Sequence, residues 1–377
     1  MATGATLGCG QYEVYFKSRG GGQFICRALN LTQVSYGRKL NDVSEASVTF
    51  GIRGLEGDCC ECVAAINPWE HEMAVYRDGA EVWCGPITGG ELDQAGLSMR
   101  FDAKDLSAWF DHRWVEIAGD DIEFDQADIT EVFNWLIGHA YYKDPWNMEW
   151  FFNKKLNIPL DRTYAGFDPR TDRWGGNYPM VGPELRDLTN SGIDYTVVRR
   201  SMLAGDLRNI SVVSGRILDN HWVTIPKITV VGTTMGTEVG IAGGNGGTYG
   251  WYDDQIWIER PTDEELAKYG LLQYFEPAPT LDDAETTALP NPITQWAFNM
   301  HELRKQPYEY ISGGDLSSTA PFTFDDLVPG NYFRVDLSQT CRTVQQTYLL
   351  TSLSVSYAES ETISVELVPP GGEKLRG

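Results

Sequence analysis

The chain has 377 residues, 42% of them apolar and 12% aromatic, and its 30 lysines and arginines face 53 aspartates and glutamates for a formal charge of -23 at pH 7. That length supports two or three cores. The acid excess excludes tight electrostatic binding to nucleic acid, which needs clustered cations where this chain offers only pairs such as Arg199-Arg200 and Lys154-Lys155.

No apolar run is long enough to span a bilayer, and the opening "MATGATLGCGQYEV" lacks the basic, apolar and small-residue order of a signal peptide. A protein made in the cytoplasm without a membrane anchor is expected. Thirty-nine glycines and eighteen prolines suit many short strands joined by tight turns.

Residues 1–104 read as a first small β-barrel domain, with strands at "YEVYF", "FICRALNLTQVSY", "SEASVTFGI", "EMAVYR", "EVWCGPI" and "LSMRFDAKD". Within it, "MAVYRDGAEVWCGPIT" (73–88) is a hairpin turning at Asp78-Gly79, and Gly85-Pro86 ends or redirects its second strand because proline cannot donate to a ladder. Residues 105–183 form an inserted helical and irregular domain. Asp128-Ile129-Thr130-Glu131 is a capping-box pattern, followed at helical spacing by Val132, Phe133, Leu136, Ile137 and Ala140. The aromatic stretch from Pro145 to Pro183 looks like an exposed insertion.

A short helix at "PELRDLTNSG" leads into residues 184–260, the first part of a second β domain; 261–307 is acidic and proline-rich with one helix near Ile293–Arg304; 308–377 supplies closing strands. The segment "LTQVSYGRKLNDVSEASVTFGI" echoes "TSLSVSYAESETISVELVP" through Val-Ser-Tyr and a later Ser-Val (Ser47-Val48, Ser364-Val365). The echo alone leaves duplication and convergence equally open.

Candidate chemistry is sparse. Cys59, Cys60 and Cys62 in "DCCEC", with Cys84 or Cys26 as a fourth ligand, could hold zinc or an iron-sulfur cluster. Adjacent cysteines chelate one ion poorly and there is no CxxC pair, so buried or free thiols without cofactor are the preferred reading.

His71-Glu72 begins like a zinc-protease motif, but the second histidine is missing, and the pair is read as solvated. The acidic run 119–131 lacks calcium-loop spacing, and "GIAGGNGGTYG" (240–250) lacks the lysine of a phosphate loop. Trp146, Trp150, Phe151, Phe152, Trp174 and Tyr178 could stack on host glycans or fill a subunit interface. No nucleophile or metal triad supports a cell-wall hydrolase, so catalysis is not expected.

"RKLNDVSEASVTF" and "CCECVAAINPWEHEMAVYRDGAEVWCGPIT" resemble the start of a family of minor tail proteins from long-tailed phages of actinobacteria. Trp69, His71, Glu72, Tyr76, Arg77, Asp78, Gly79, Val82, Trp83, Gly85, Pro86 and Ile87 fit its pattern, with Met73 in place of a leucine. "ELRDLTNSGIDYTVVRR" and "APFTFDDLVPGNYFRVDLSQTCRTVQQTYLLTSLSVSY" look like its later strands.

That family is similar in plan to phage baseplate hubs. The resemblance implies an α+β, mainly β fold with two related small β-barrel domains and inserted segments. It makes Trp69, Tyr76, Asp78, Gly79, Trp83, Gly85 and Pro86 architectural. It further implies a homotrimer at the virion tail tip, assembled in the host cytoplasm, joining the tail tube or distal tail protein to the tip beside tape measure, spike and fibre proteins, with DNA passing through unbound.

Overall fold

The computed structural model describes residues 7–52, 61, 63–93, 95, 97–115, 127–152, 163–164, 180–190, 193–205, 217–219, 223–224, 227–243, 255–277, 292–318, 320, 322–337 and 344–369. The first β region contains β1 (Tyr12–Ser18), β2 (Phe24–Arg27), β3 (Leu31–Lys39), β4 (Glu45–Gly51), β5 (His71–Arg77), β6 (Ala80–Asp93) and β7 (Ser98–Lys104). The middle holds β8 (Ala127–Asp128), β9 (Glu149–Phe152), β10 (Thr163–Tyr164), β11 (Asp194–Val198) and β12 (Ser201–Gly205), with helices Ile129–Lys143 and Val181–Asn190.

Next come β13 (Ile217–Asp219), β14 (Val223–Thr224), β15 (Lys227–Val231), β16 (Glu238–Gly243), β17 (Gln255–Glu259) and β18 (Gln273–Pro277), with helices Asp263–Tyr269 and Pro292–Arg304. The chain closes with β19 (Tyr308–Leu316), β20 (Tyr332–Leu337), β21 (Val344–Tyr357) and β22 (Glu361–Val368). The fold is mainly β.

The hairpin forms as its sequence dictates. Asp78 and Gly79 take φ of 52° and 79°, the pair of left-handed residues that a two-residue turn matched to strand twist requires. At Gly85-Pro86 the strand is redirected: β6 pairs with β5 up to Pro86 and with β7 from Ile87 onward. A Cβ on Gly85 would lie 1.8 Å from the Lys104 carbonyl oxygen, so only glycine lets the two backbones cross.

Two closed barrels were the expectation. Among the described residues the pairings form instead one fourteen-stranded sheet, an open path from β14 through β19, β22, β21, β3, β4, β7, β6, β5 and β1 to β2. The reason lies at β3, whose edge is taken by β21 of the last β region rather than turned back on β2. The sheet still curls, bringing the Phe16 ring of β1 within 5.1 Å of Phe101 on β7 and 6.1 Å of Phe50 on β4. A large apolar core results, shared by both β regions: Val14, Phe16, Val48 and Phe101 from the first pack with Phe333, Leu353, Val355 and Val365 from the last.

The Val-Ser-Tyr echo is resolved as a pairing. Val34, Ser35 and Tyr36 oppose Tyr357, Ser356 and Val355 in antiparallel register, a local two-fold arrangement centred on Ser35 and Ser356. The Ser-Val half of the echo is offset by two residues: Ser47 opposes Ser35, but Thr362 opposes Ser356 and Ser364 opposes Ser354. A two-residue offset keeps the same face, which is why the sequence pattern survived it.

The inserted helix lays Val132, Phe133, Leu136, Ile137 and Ala140 into a second core with Leu106, Phe110, Trp146, Leu185 and Tyr195. Residues 145–148 are therefore not an exposed insertion, since Trp146 and Met148 are buried there. In the acidic segment two helices are present where one was expected. The first, Asp263–Tyr269, starts at a Thr262–Glu265 capping box, and it links β17 to β18 in a three-stranded sheet that runs across residue 261.

Candidate functional site

Three buried charges hold the two β regions together. Glu361, at the start of β22, accepts from Arg77 Nε at 2.6 Å and Nη2 at 2.8 Å, from the Tyr12 hydroxyl, and from the Gly8 amide at 2.5 Å. The side chains of Arg77 and Glu361 are 1% and 0% exposed. Burial alone would raise the Glu361 carboxyl, but Arg77 and Tyr12 hold it below the usual glutamate range. Burial also pushes the Tyr12 and Tyr36 hydroxyls well above the ordinary tyrosine value.

Beside this pair, Arg38 is wholly enclosed and donates to the carbonyls of Leu327 at 3.1 Å and Val82 at 3.3 Å. Burial lowers its pKa to about 10. The Phe324 ring lies between the two cations, 4.5 Å from the Arg38 guanidinium and 5.6 Å from that of Arg77.

A second ionic group joins the first β region to the β11–β12 hairpin. Arg200 donates to Glu72 at 2.5 Å and approaches Glu81 at 3.9 Å, while Lys17 donates to the Tyr76 hydroxyl at 2.8 Å and pairs with Glu81 at 3.3 Å. Both His71 and Glu72 are buried, which corrects their reading as solvated. The Glu72 carboxylate is held by Arg200 and the Gly20 amide, and His71 Nδ1 accepts from the Asn67 amide.

Several residues of the hairpin motif stand beside these groups. Trp83 is buried with its Nε1 3.3 Å from Ser44 Oγ, and Ser44 is bound in turn by the enclosed Asp105 carboxylate. Burial raises Asp105, although hydrogen bonds from Ser107 and Ser44 oppose this. Trp69 takes φ of 64° and packs edge-on to Trp109 at 5.0 Å and against His112 at 4.2 Å.

Cys84 sits in the second core and Cys26 in the first, so the two thiols proposed as a fourth ligand lie in different layers; burial pushes the Cys84 thiol up. Cys59, Cys60 and Cys62 lie outside the described residues. Of the six aromatics offered for stacking, Trp146 is buried against Phe110 and Tyr141 and offers no face to a sugar. The side chains of Trp150, Phe151 and Phe152, and Trp174 and Tyr178 entirely, lie outside the description, as do residues 119–126 of the acidic run.

The solvent side of the sheet carries a row of small polar residues across six strands: Gly89, Asp102, Ser47, Ser35, Ser356 and Thr362 stand side by side. Ser35 and Ser47 share a 2.8 Å hydrogen bond, and Arg100 is paired with Asp102 at 2.8 Å. A shallow groove of about 410 Å³ crosses this row between Ser35, Glu45, Thr88 and Lys104. It carries two acids and two bases, and no cluster of cations.

A comparison with protein-family models gives no match, and a comparison with curated proteins gives none either. Solved structures do match, over essentially the whole chain. A 43 kDa tail protein of prophage MuSo2 from Shewanella oneidensis superposes with a TM-score of 0.62 at 11% identity, covering 95% of this chain and 98% of that one. A tail protein from Neisseria meningitidis MC58 gives 0.63 at 12%, covering 96% and 97%. A prophage tail protein from Listeria monocytogenes EGD-e gives 0.59 at 12%, covering 97% and 100%. The fold is therefore one that phage tail proteins use.

Proposed function

We propose that the chain is a structural, non-catalytic component of a phage tail, of the minor-tail class of long-tailed actinobacterial phages. It acts as the hub at the distal end, joining the tail tube or distal ring to the tip and bounding the DNA channel. The observation that carries this reading is the fold that the chain shares, over 95% or more of its length, with whole tail proteins. The chain carries two β regions joined through β3 and β21, so three chains would present six of them to a sixfold tube.

In this reading the row from Gly89 to Thr362 faces the channel, because a wall of hydroxyls and balanced charge has no cation cluster to hold phosphate. The neighbours are tube, tape measure, spike and fibre proteins, and the place of action is the virion tail tip. An electron-microscope reconstruction of the assembled particle tests it: threefold symmetry is expected, with the first and last β regions alternating around one ring. Six copies, or one β region per chain at the channel, would overturn the hub assignment. Zymography on host cell walls is expected to show no clearing.

A further inference from the structure

No further inference is drawn: the strongest candidate, the acidic pair Asp219 and Asp336 that stand beside one another in register on β13 and β20, with Asp336 Oδ1 buried and without a hydrogen-bond partner, carries nothing, because the Asp219 side chain lies outside the description and two acids alone do not make a cation site.

Discussion

Removing the carboxylate of Glu361 gives the sharpest test of how the two β regions are joined. Glu361→Leu removes the carboxylate that accepts from Nε and Nη2 of the Arg77 guanidinium, 1% exposed, and leaves the Gly8 amide without its acceptor. Breaking a buried pair from one side costs about 3–5 kcal/mol, and an orphaned amide adds about 1–3 kcal/mol. Against a typical total of about 5–15 kcal/mol, that is a large fraction.

The complementary change, Arg77→Met, leaves Glu361 without its cation but still accepting from Tyr12 and Gly8, and costs somewhat less. The double variant removes both charges, so it costs less than the two singles summed, with a coupling of about 3 kcal/mol. Urea unfolding followed by tryptophan fluorescence reads all four corners of the cycle. Strict additivity, or a single variant costing under about 1 kcal/mol, would refute the claim that this ion pair clamps β22 to β5.

Two glycines of one motif separate backbone crossing from turn conformation. Gly85→Ala forces a Cβ into the Lys104 carbonyl and is expected to cost about 3 kcal/mol or more, whereas Gly79→Ala, at φ of 79° with open space around it, costs only about 1–2 kcal/mol; thermal midpoints check the order. Two carboxylates respond to pH with opposite sign. Glu361, lowered in the fold, contributes stability above its unfolded pKa that is lost as pH falls through the folded value, so Glu361→Gln flattens the acid limb. Asp105, raised in the fold, contributes below its unfolded pKa and loses that as pH rises through the folded value, so Asp105→Asn removes a slope of the other sign; urea midpoints across pH measure both. Alkylation mapped by mass spectrometry is expected to mark exposed Cys9 in the native protein, while Cys26 and Cys84 react only after unfolding.

Local order was legible because it is set by neighbours in the chain. Asp78-Gly79 dictated a left-handed turn, and the spacing of Val132, Phe133, Leu136, Ile137 and Ala140 dictated which helical face is buried. The helix Asp263–Tyr269 was hidden by its own composition, since the acids of "PTDEELAKYG" read as a charged linker although Thr262 and Glu265 stand at capping-box spacing. The pairing of β3 with β21 joins residues more than three hundred apart, and no local pattern specifies it. The seam did leave a trace: Arg38 falls in phase with Val34 and Tyr36, Arg77 with Met73 and Val75, and Glu361 with Ile363 and Val365. Charged residues in the apolar phase of three strands signal buried partners.

The shared seam also bears on what the chain can do as one piece. A barrel closed on itself satisfies its own edges and could evolve or detach as a unit. Here β3 gives its edge to β21, Glu361 of the last β region caps Arg77 of the first, and Phe324 is clasped by arginines from β3 and β5. Separated, the first region would expose an unpaired strand edge and a buried cation, and the last would expose a buried anion; each half is completed only by the other. The same three contacts fix the angle between the two β regions within a chain.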